Sequence, residues 1–376
     1  MNIDFKFCFL GDMRMNVFEL MPNLIKAALE SDRKMIESTA IMISKKIRNE
    51  YPEVSKSIIK ALSIEGAPVT RSLNSQVPVD HESRYELANI KEPDDIPIPI
   101  LNTHTLKKLN DFIIERNSVN ELLDQDILPP NSILMYGAPG VGKTYIANWL
   151  SSQLKLPLIT LDLASSISSY LGRTGQNIHN IFEFARSQNA ILFLDELDAI
   201  AKRRDDAGDL GELKRLVNVL LKELEECSFS CIVIGATNHP ELLDAAIWRR
   251  FDRTIEISMP TDVERKALIK RHLNKFLKTI SAETIEYLIK YTDSVNAADV
   301  CKLCEHIKRH VVLNKDVDIN LIVLEEVFAL NPPKSKDVKI AICYELHNKF
   351  PQLAQRDISQ ITQIPLSSVS RYLTKK

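Results

Sequence analysis

The sequence predicts an α/β protein: a parallel sheet covered on both faces by helices, with further helices before and after it. Three observations carry this. Short apolar runs alternate with helical stretches between residues 100 and 260. A glycine-rich octamer lies between one such run and a helix. The chain has only ten glycines in 376 residues, about 3% against a usual 7% or so, and eight of them fall between 137 and 235. Scarce glycine suits a helix-rich chain, and it concentrates backbone freedom in one stretch.

Composition narrows the class. With 45% apolar and 26% charged residues, the chain is neither wholly disordered, collagen-like nor a disulfide knot. A net charge of −2 gives no global basic field. No apolar run approaches the roughly 18 residues of a membrane span, so no membrane partner is expected. The first fourteen residues mix Asp4, Lys6, Asp12 and Arg14 among apolar side chains, unlike the core of a signal peptide. The cytoplasm is therefore the expected compartment. Six scattered cysteines fit reduced thiols rather than a disulfide framework.

The elements follow in order. Residues 1–92 are expected to form a helical domain. Val17, Leu20, Leu24 and Ala28 recur at helical spacing, as do Met35, Ile36, Ala40, Ile43 and Ile47, and then Val54, Ile58, Ile59 and Leu62. Pro52 suits the start of the third helix. Residues 66–80 read as a loop, and the prolines at 93, 97 and 99 impose an extended stretch. Strands are expected at 132–136, 157–161, 190–194, 231–235 and 254–257, with helices between them. That alternation implies a parallel sheet. Helical patterning resumes over 261–333, and 334–376 form a short basic tail.

The octamer is Gly137-Ala138-Pro139-Gly140-Val141-Gly142-Lys143-Thr144, a G-x-x-x-x-G-K-T loop after a strand and before a helix. Its glycines let backbone N–H groups face phosphate oxygens, and the helix N-terminus adds partial positive charge. Lys143 is expected to reach the β- and γ-phosphates of ATP, and the Thr144 hydroxyl to ligate Mg²⁺. About 50 residues on, an apolar strand ends in Asp195-Glu196. Two acids at the end of a buried strand are costly unless a cation or hydrogen bonds receive them. Asp195 would hold the metal through water, and Glu196 would orient and polarise the attacking water. The glutamate argues for hydrolysis beyond nucleotide binding.

A third constellation runs from Ala236-Thr237-Asn238 to Arg249-Arg250-Phe251-Asp252-Arg253. Together with the two nucleotide motifs it resembles the AAA ATPases, in the clade of protein-remodelling, microtubule-severing and proteasomal ATPases. The resemblance covers about 95–325. It implies a large α/β nucleotide-binding domain over 93–260 and a small helical lid over 261–333. It implies that Asn238 senses the γ-phosphate, and that Arg249 and Arg250 reach into a neighbouring subunit's site. Many members space these arginines two residues apart. Here they are adjacent, with Arg253 beyond, so which arginine acts stays open. Tyr170-Leu171-Gly172 stands where the family has a pore loop that grips an extended polypeptide, and 203–211 stands where a second pore loop falls. Asp293-Ser294-Val295-Asn296-Ala297-Ala298-Asp299 resembles the lid segment beside the nucleotide, with Ala297 in place of a glycine. The family thus implies a homo-oligomeric ring, expected to be a hexamer, acting on a protein substrate. The stretches 169–172, 211–215 and 236–251 are further similar to a bacterial subgroup encoded beside a subtilisin-like peptidase in phage-defence systems. Such a peptidase is an expected partner.

Cys301-x-x-Cys304-x-His306-x-x-x-His310 lies in a helical stretch, which cannot wrap four ligands around one ion. Core cysteines and exposed histidines are the expectation there. The tail carries eight basic residues against three acids. It resembles a helix-turn-helix, with Ser367, Ser368, Arg371 and Tyr372 on the second helix. Two functions follow: a ring ATPase that threads or remodels a macromolecule, or an ATP-switched assembly that binds DNA through this tail.

Overall fold

The computed structural model describes residues 17, 20–29, 33–48, 50–62, 88–163, 174–199, 210–227, 231–314 and 317–374. The expected pore-loop residues Tyr170, Leu171 and Gly172, and 203–209 of the second loop, lie outside the described residues. The chain divides into two compact units. One comprises Met1–Pro99, Thr103–Gly137 and Lys143–Glu256; the other comprises Ile100–Asn102, Ala138–Gly142 and Ile257–Lys376.

The first unit begins with helices α1 (Met21–Leu29), α2 (Arg33–Ile47) and α3 (Pro52–Leu62). Pro52 is the first residue of α3, where its missing N–H costs nothing. Next come strand β1 (Asn89–Lys91) and helices α4 (Thr103–Asn117) and α5 (Val119–Asp124). Ile41 and Ile59 share a small apolar cluster with Val119 and Leu123. Arg48 donates to the carbonyls of Asp124 at 2.6 Å and Leu123 at 3.2 Å, a cation at the C-terminal end of α5. The Ser44 and Ser55 hydroxyls meet at 2.7 Å between α2 and α3, so these buried polar groups satisfy each other.

The sheet follows: β2 (Ser132–Tyr136), α6 (Lys143–Leu154), β3 (Leu158–Asp162), α7 (Thr174–Gln188), β4 (Ile191–Asp195), α8 (Leu210–Glu225), β5 (Ile232–Thr237), α9 (Ala245–Trp248) and β6 (Arg253–Glu256). The five expected strands appear within two residues of their expected limits. The strand order is β1-β3-β4-β5-β2-β6, parallel throughout except for β1. Burial explains the continuous apolar runs: Ile191, Leu192, Phe193 and Leu194 of β4 are all fully buried, as a strand covered on both faces must be. The edge strand β1 lies within the span expected to be helical. It pairs antiparallel with β3, Ile90 opposite Ile159. Three residues carry too little pattern to announce a strand.

The second unit contains α10 (Asp262–Leu273), α11 (Ala282–Tyr291), α12 (Ala297–Leu313), α13 (Ile319–Leu330), α14 (Lys336–Lys349), α15 (Gln355–Thr362) and α16 (Leu366–Thr374). Polar caps set the starts. Thr261 and Glu264 form a capping box on α10, and Ser281, Asn296, Asp318 and Ser335 each accept a backbone N–H at their helix. One core joins α10, α12 and α13 through Leu268, Ile269, Val300, Cys304, Ile307 and Val323. A second joins Tyr287, Leu324 and Phe328 to the tail helices through Ile342, Leu346, Ile358 and Val369. Cys304 is buried, and this burial pushes its thiol up to about 12. His306 and His310 are half-exposed beside Glu326 on α13.

Gly235 in the middle of β5 shows how tight the sheet is. A Cβ there would lie 2.6 Å from Leu197 Cδ1 and 2.8 Å from the Phe251 ring. Gly235→Ala should therefore destabilise the protein by about 1–3 kcal/mol, the usual cost of overpacking. Chemical denaturation reads this, and a midpoint equal to the parent would contradict it.

Candidate nucleotide site

The site is built where three neighbouring parallel strands end. In the sheet β5 lies between β4 and β2. Tyr136, the last residue of β2, pairs with Thr237, the last of β5, while Leu194 of β4 pairs with Gly235. Gly137, Asp195 and Asn238 thus emerge side by side at the carboxyl edge, where open α/β sheets bind ligands.

Gly137 leaves β2 with φ 150°, and the loop then runs through Ala138, Pro139, Gly140, Val141 and Gly142 into α6. Gly140 has φ +78°, and a Cβ on it would lie 2.6 Å from the Asn296 side chain. Alanine there is excluded twice, by backbone conformation and by contact. The Gly140 carbonyl accepts the Ala298 N–H at 2.9 Å, so the loop segment is tied to the start of α12. Ala297 is the first residue of that helix, with Asn296 as its cap. Its backbone is not left-handed, so this position accepts alanine where the family pattern has glycine.

Lys143 opens α6 and is buried. Its ammonium donates to the Gly137 carbonyl and to Asn238 Oδ1, both at 2.7 Å. Burial lowers its pKa, opposed by the charges of Asp195 and Asp198. The expected phosphate lysine and the expected sensor asparagine are therefore in direct contact. The Thr144 hydroxyl donates to Asp195 Oδ2 at 3.3 Å. Burial holds the Asp195 carboxyl above its ordinary range, although the Glu196 N–H, Thr144 and Lys143 favour its charge. A carboxylate short of compensation gains from a cation, and two hard oxygen donors at this spacing fit Mg²⁺. Glu196 is exposed and has φ +55°, a left-handed backbone in a residue with a side chain. Its N–H donates to Asp195 Oδ1 at 2.9 Å.

Sequence reasoning missed Asp198. It is buried, accepts the Thr237 hydroxyl at 3.0 Å and accepts the Asn238 N–H at 3.2 Å. It therefore anchors the end of β5 that presents Asn238 to Lys143. The signal was a third acid just after Asp195-Glu196, on a stretch otherwise apolar.

The arginines separate clearly. Arg253 is held by both oxygens of Glu115 at 2.5 Å. Arg250 pairs with Glu225 at 2.8 Å. Arg249 is exposed and forms no ion pair among the described residues. No described contact joins Arg249 or Arg250 to Lys143, Thr144 or Asp195. In the tail, Ser367 and Arg371 are exposed and Ser368 is half-buried, but Tyr372 is buried in the core. Tyr372, expected beside Ser367, Ser368 and Arg371 as a possible DNA-contacting residue, is turned inward instead. It falls on the apolar stripe with Val369 and faces inward.

A phosphate loop, an acidic strand end and a polar sensor on one parallel sheet define a nucleoside-triphosphate-binding domain. Comparison with known proteins sharpens the class: residues 133–259 match the family described as ATPase family associated with various cellular activities (AAA). The chain is 39% identical over 181 residues to an uncharacterized AAA family ATPase, y4kL, of Sinorhizobium fredii, covering 48% of this chain and 54% of that protein. It is 32% identical over 285 residues to the proteasome-activating nucleotidase of Methanothermobacter thermautotrophicus, covering 73% of this chain and 63% of that one. The chain spans about half the length of the first curated relatives it matches. Its fold is similar to the crystal structure of the FIGL-1 AAA domain, with a TM-score of 0.52 and 21% identity over 70% of this chain and 92% of that one.

Asp198→Ala would leave the Thr237 hydroxyl and the Asn238 N–H without this acceptor. It should cost about 1–3 kcal/mol of stability. It should also slow nucleotide hydrolysis, because Asn238 loses its support. Denaturation and ATPase measurements on the same preparation test this, and parental values in both would refute the anchoring role.

Proposed function

We propose that this protein is an ATPase that works as a homo-oligomeric ring, expected to be hexameric, and couples hydrolysis to the threading or remodelling of a protein substrate. The observation that carries the reading is the direct contact of Lys143 with Asn238, beside Thr144 and Asp195, at the ends of three adjacent strands. The relatives named as AAA ATPase and proteasome-activating nucleotidase support it.

In this reading the loop 137–144 cradles the triphosphate with backbone N–H groups, and Lys143 balances the β- and γ-phosphate charge. Thr144 and Asp195 would hold Mg²⁺, which screens the phosphate oxygens when bound. Glu196, exposed beyond the strand end, accepts a proton from the attacking water and orients it. Asn238 hydrogen-bonds the water or the γ-phosphate. Arg249 is the cation offered to a neighbouring subunit, since Arg253 and Arg250 are already engaged within their own chain. Tyr170, Leu171 and Gly172 would grip the substrate.

Glu196→Gln should slow hydrolysis by about 10²–10⁴-fold while ATP binding survives. Arg249→Ala should lose a comparable factor or more. Mixing the two variants should recover part of the activity, because one subunit supplies what the other lacks. ATPase rates of each variant and of the mixture, together with ATP affinity, provide the test. A parental rate in Glu196→Gln, or a rate per subunit that stays constant on dilution to monomer, would overturn the reading.

The resemblance over 236–251 extends the proposal to a subtilisin-like peptidase partner in antiviral defence and to a cytoplasmic setting. Among the described residues no helix is long and apolar enough to cross a membrane. Affinity capture with the Glu196→Gln variant, which holds ATP and the assembled ring, should bring such a peptidase down with it. Capture without the peptidase removes this extension and leaves the ATPase reading intact.

A further inference from the structure

The three tail helices share one apolar core, and the last two are joined by a short turn. Gln363-Ile364-Pro365 joins α15 to α16. Gln363 is left-handed (φ 56°, ψ 23°), which reverses the chain immediately after α15. The Ser359 hydroxyl donates to the Ile364 carbonyl at 2.6 Å. The N–H groups of Ser368 and Val369 donate to the Pro365 carbonyl at 2.8 and 3.0 Å. The turn is thus fastened to both helices.

Inward and outward faces are sharply divided. Ile358, Ile361, Ile364, Val369 and Tyr372 are buried in one cluster with Ile342 and Leu346 of α14. Arg356, Gln360 and Gln363 of the first half, and Leu366, Ser367 and Arg371 of the second, are exposed. The outer face of α16 carries small hydroxyls, one leucine and one arginine. Short side chains allow a helix to approach another surface closely, which a solvated face of long glutamates and lysines does not.

The tail carries eight Lys or Arg against three Asp or Glu, and one further carboxylate, Glu325, accepts from Gln360 on α15 at 2.8 Å. Glu345 is engaged by Lys290 at 2.7 and 2.8 Å, and Asp357 accepts the Ala354 N–H at 2.8 Å. Lys334, Lys336, Lys339 and Arg356 form no ion pair among the described residues. A helix pair joined by a three-residue turn, with its second helix outward and its surroundings basic, matches the geometry by which one helix enters the major groove while the other crosses the backbone.

We propose that α15 and α16 form a duplex-DNA-reading element. The exposed face of α16 lies in the major groove, with Ser367 and Arg371 against base edges and Leu366 against a thymine methyl. Arg356 at the start of α15 contacts phosphate. Tyr372 has no part in contact; it sets the angle between the helices from inside. This inference is independent of the ATPase reading, and either can fail alone.

Removing the tail would strip Tyr287 and Phe328 of core partners, so surface substitutions in the full chain are the proper test. The probe is a fluorescein-labelled pool of random-sequence 24-base-pair duplexes, read by anisotropy. The parent should bind at about 50 mM salt and weaken tenfold or more by about 200 mM. Arg356→Glu with Arg371→Glu should lower affinity at least tenfold and reduce the salt slope by about one, the single phosphate contact assigned to Arg356, with ATPase rate unchanged. Ser367→Ala should keep the pooled affinity but change the sequences enriched by repeated selection. No binding by the parent at low salt overturns the proposal, as does equal binding by the double-charge variant. A double-charge variant that binds DNA like the parent but loses self-assembly in sedimentation would assign this face to a protein contact instead.

Discussion

One buried charge organises the candidate nucleotide site of this molecule. The Lys143 ammonium is nearly removed from water, and a cation in that position is tolerated only if polar groups surround it. Those groups come from three strand ends: the Gly137 carbonyl after β2, Asn238 after β5, and the charges of Asp195 and Asp198 at and after β4. The strand order sets them side by side. Much of the sheet's register can therefore be seen as serving one ammonium, and displacing any of the three strands would leave it uncompensated.

The parts of this arrangement visible in the sequence are the local ones. Buried parallel strands are nearly continuous apolar runs, so β2 to β6 could be placed to within two residues. The phosphate loop needs particular residues at fixed spacing, which a linear reading sees directly. What escaped depends on contacts between residues distant in the chain. Arg253 could not be removed from the list of candidate fingers without knowing that Glu115 holds it, 138 positions away. The role of Asp198 depends on Thr237 and Asn238, some forty positions away, which fold onto it. Tyr372 is expected from the helix-turn-helix resemblance to stand with Ser367, Ser368 and Arg371 on the second helix. Its place on the stripe with Val369 decided otherwise, since a large ring contributes more by burial than by exposure.

The second unit shows how short helices become stable. The last two helices have eight and nine residues, too few to persist alone in water. They are held because Ile358, Ile361, Val369 and Tyr372 reach the same cluster as Tyr287 and Phe328 of the preceding helices. Tail and helical bundle are therefore one cooperative body, and a partner gripping α16 pulls on the core that contains α11 and α13.

The backbone of Glu196 has an evolutionary consequence. A side-chain-bearing residue held at positive φ costs on the order of 1–2 kcal/mol relative to glycine. Drift toward glycine, or toward asparagine, at this position would make the fold more robust while removing the carboxylate. Under the proposed role of Glu196, such a change would exchange hydrolysis for backbone stability at a single position. The carboxylate at this position therefore stands against the preference of its own peptide unit, a backbone cost that the proposed role in hydrolysis would offset.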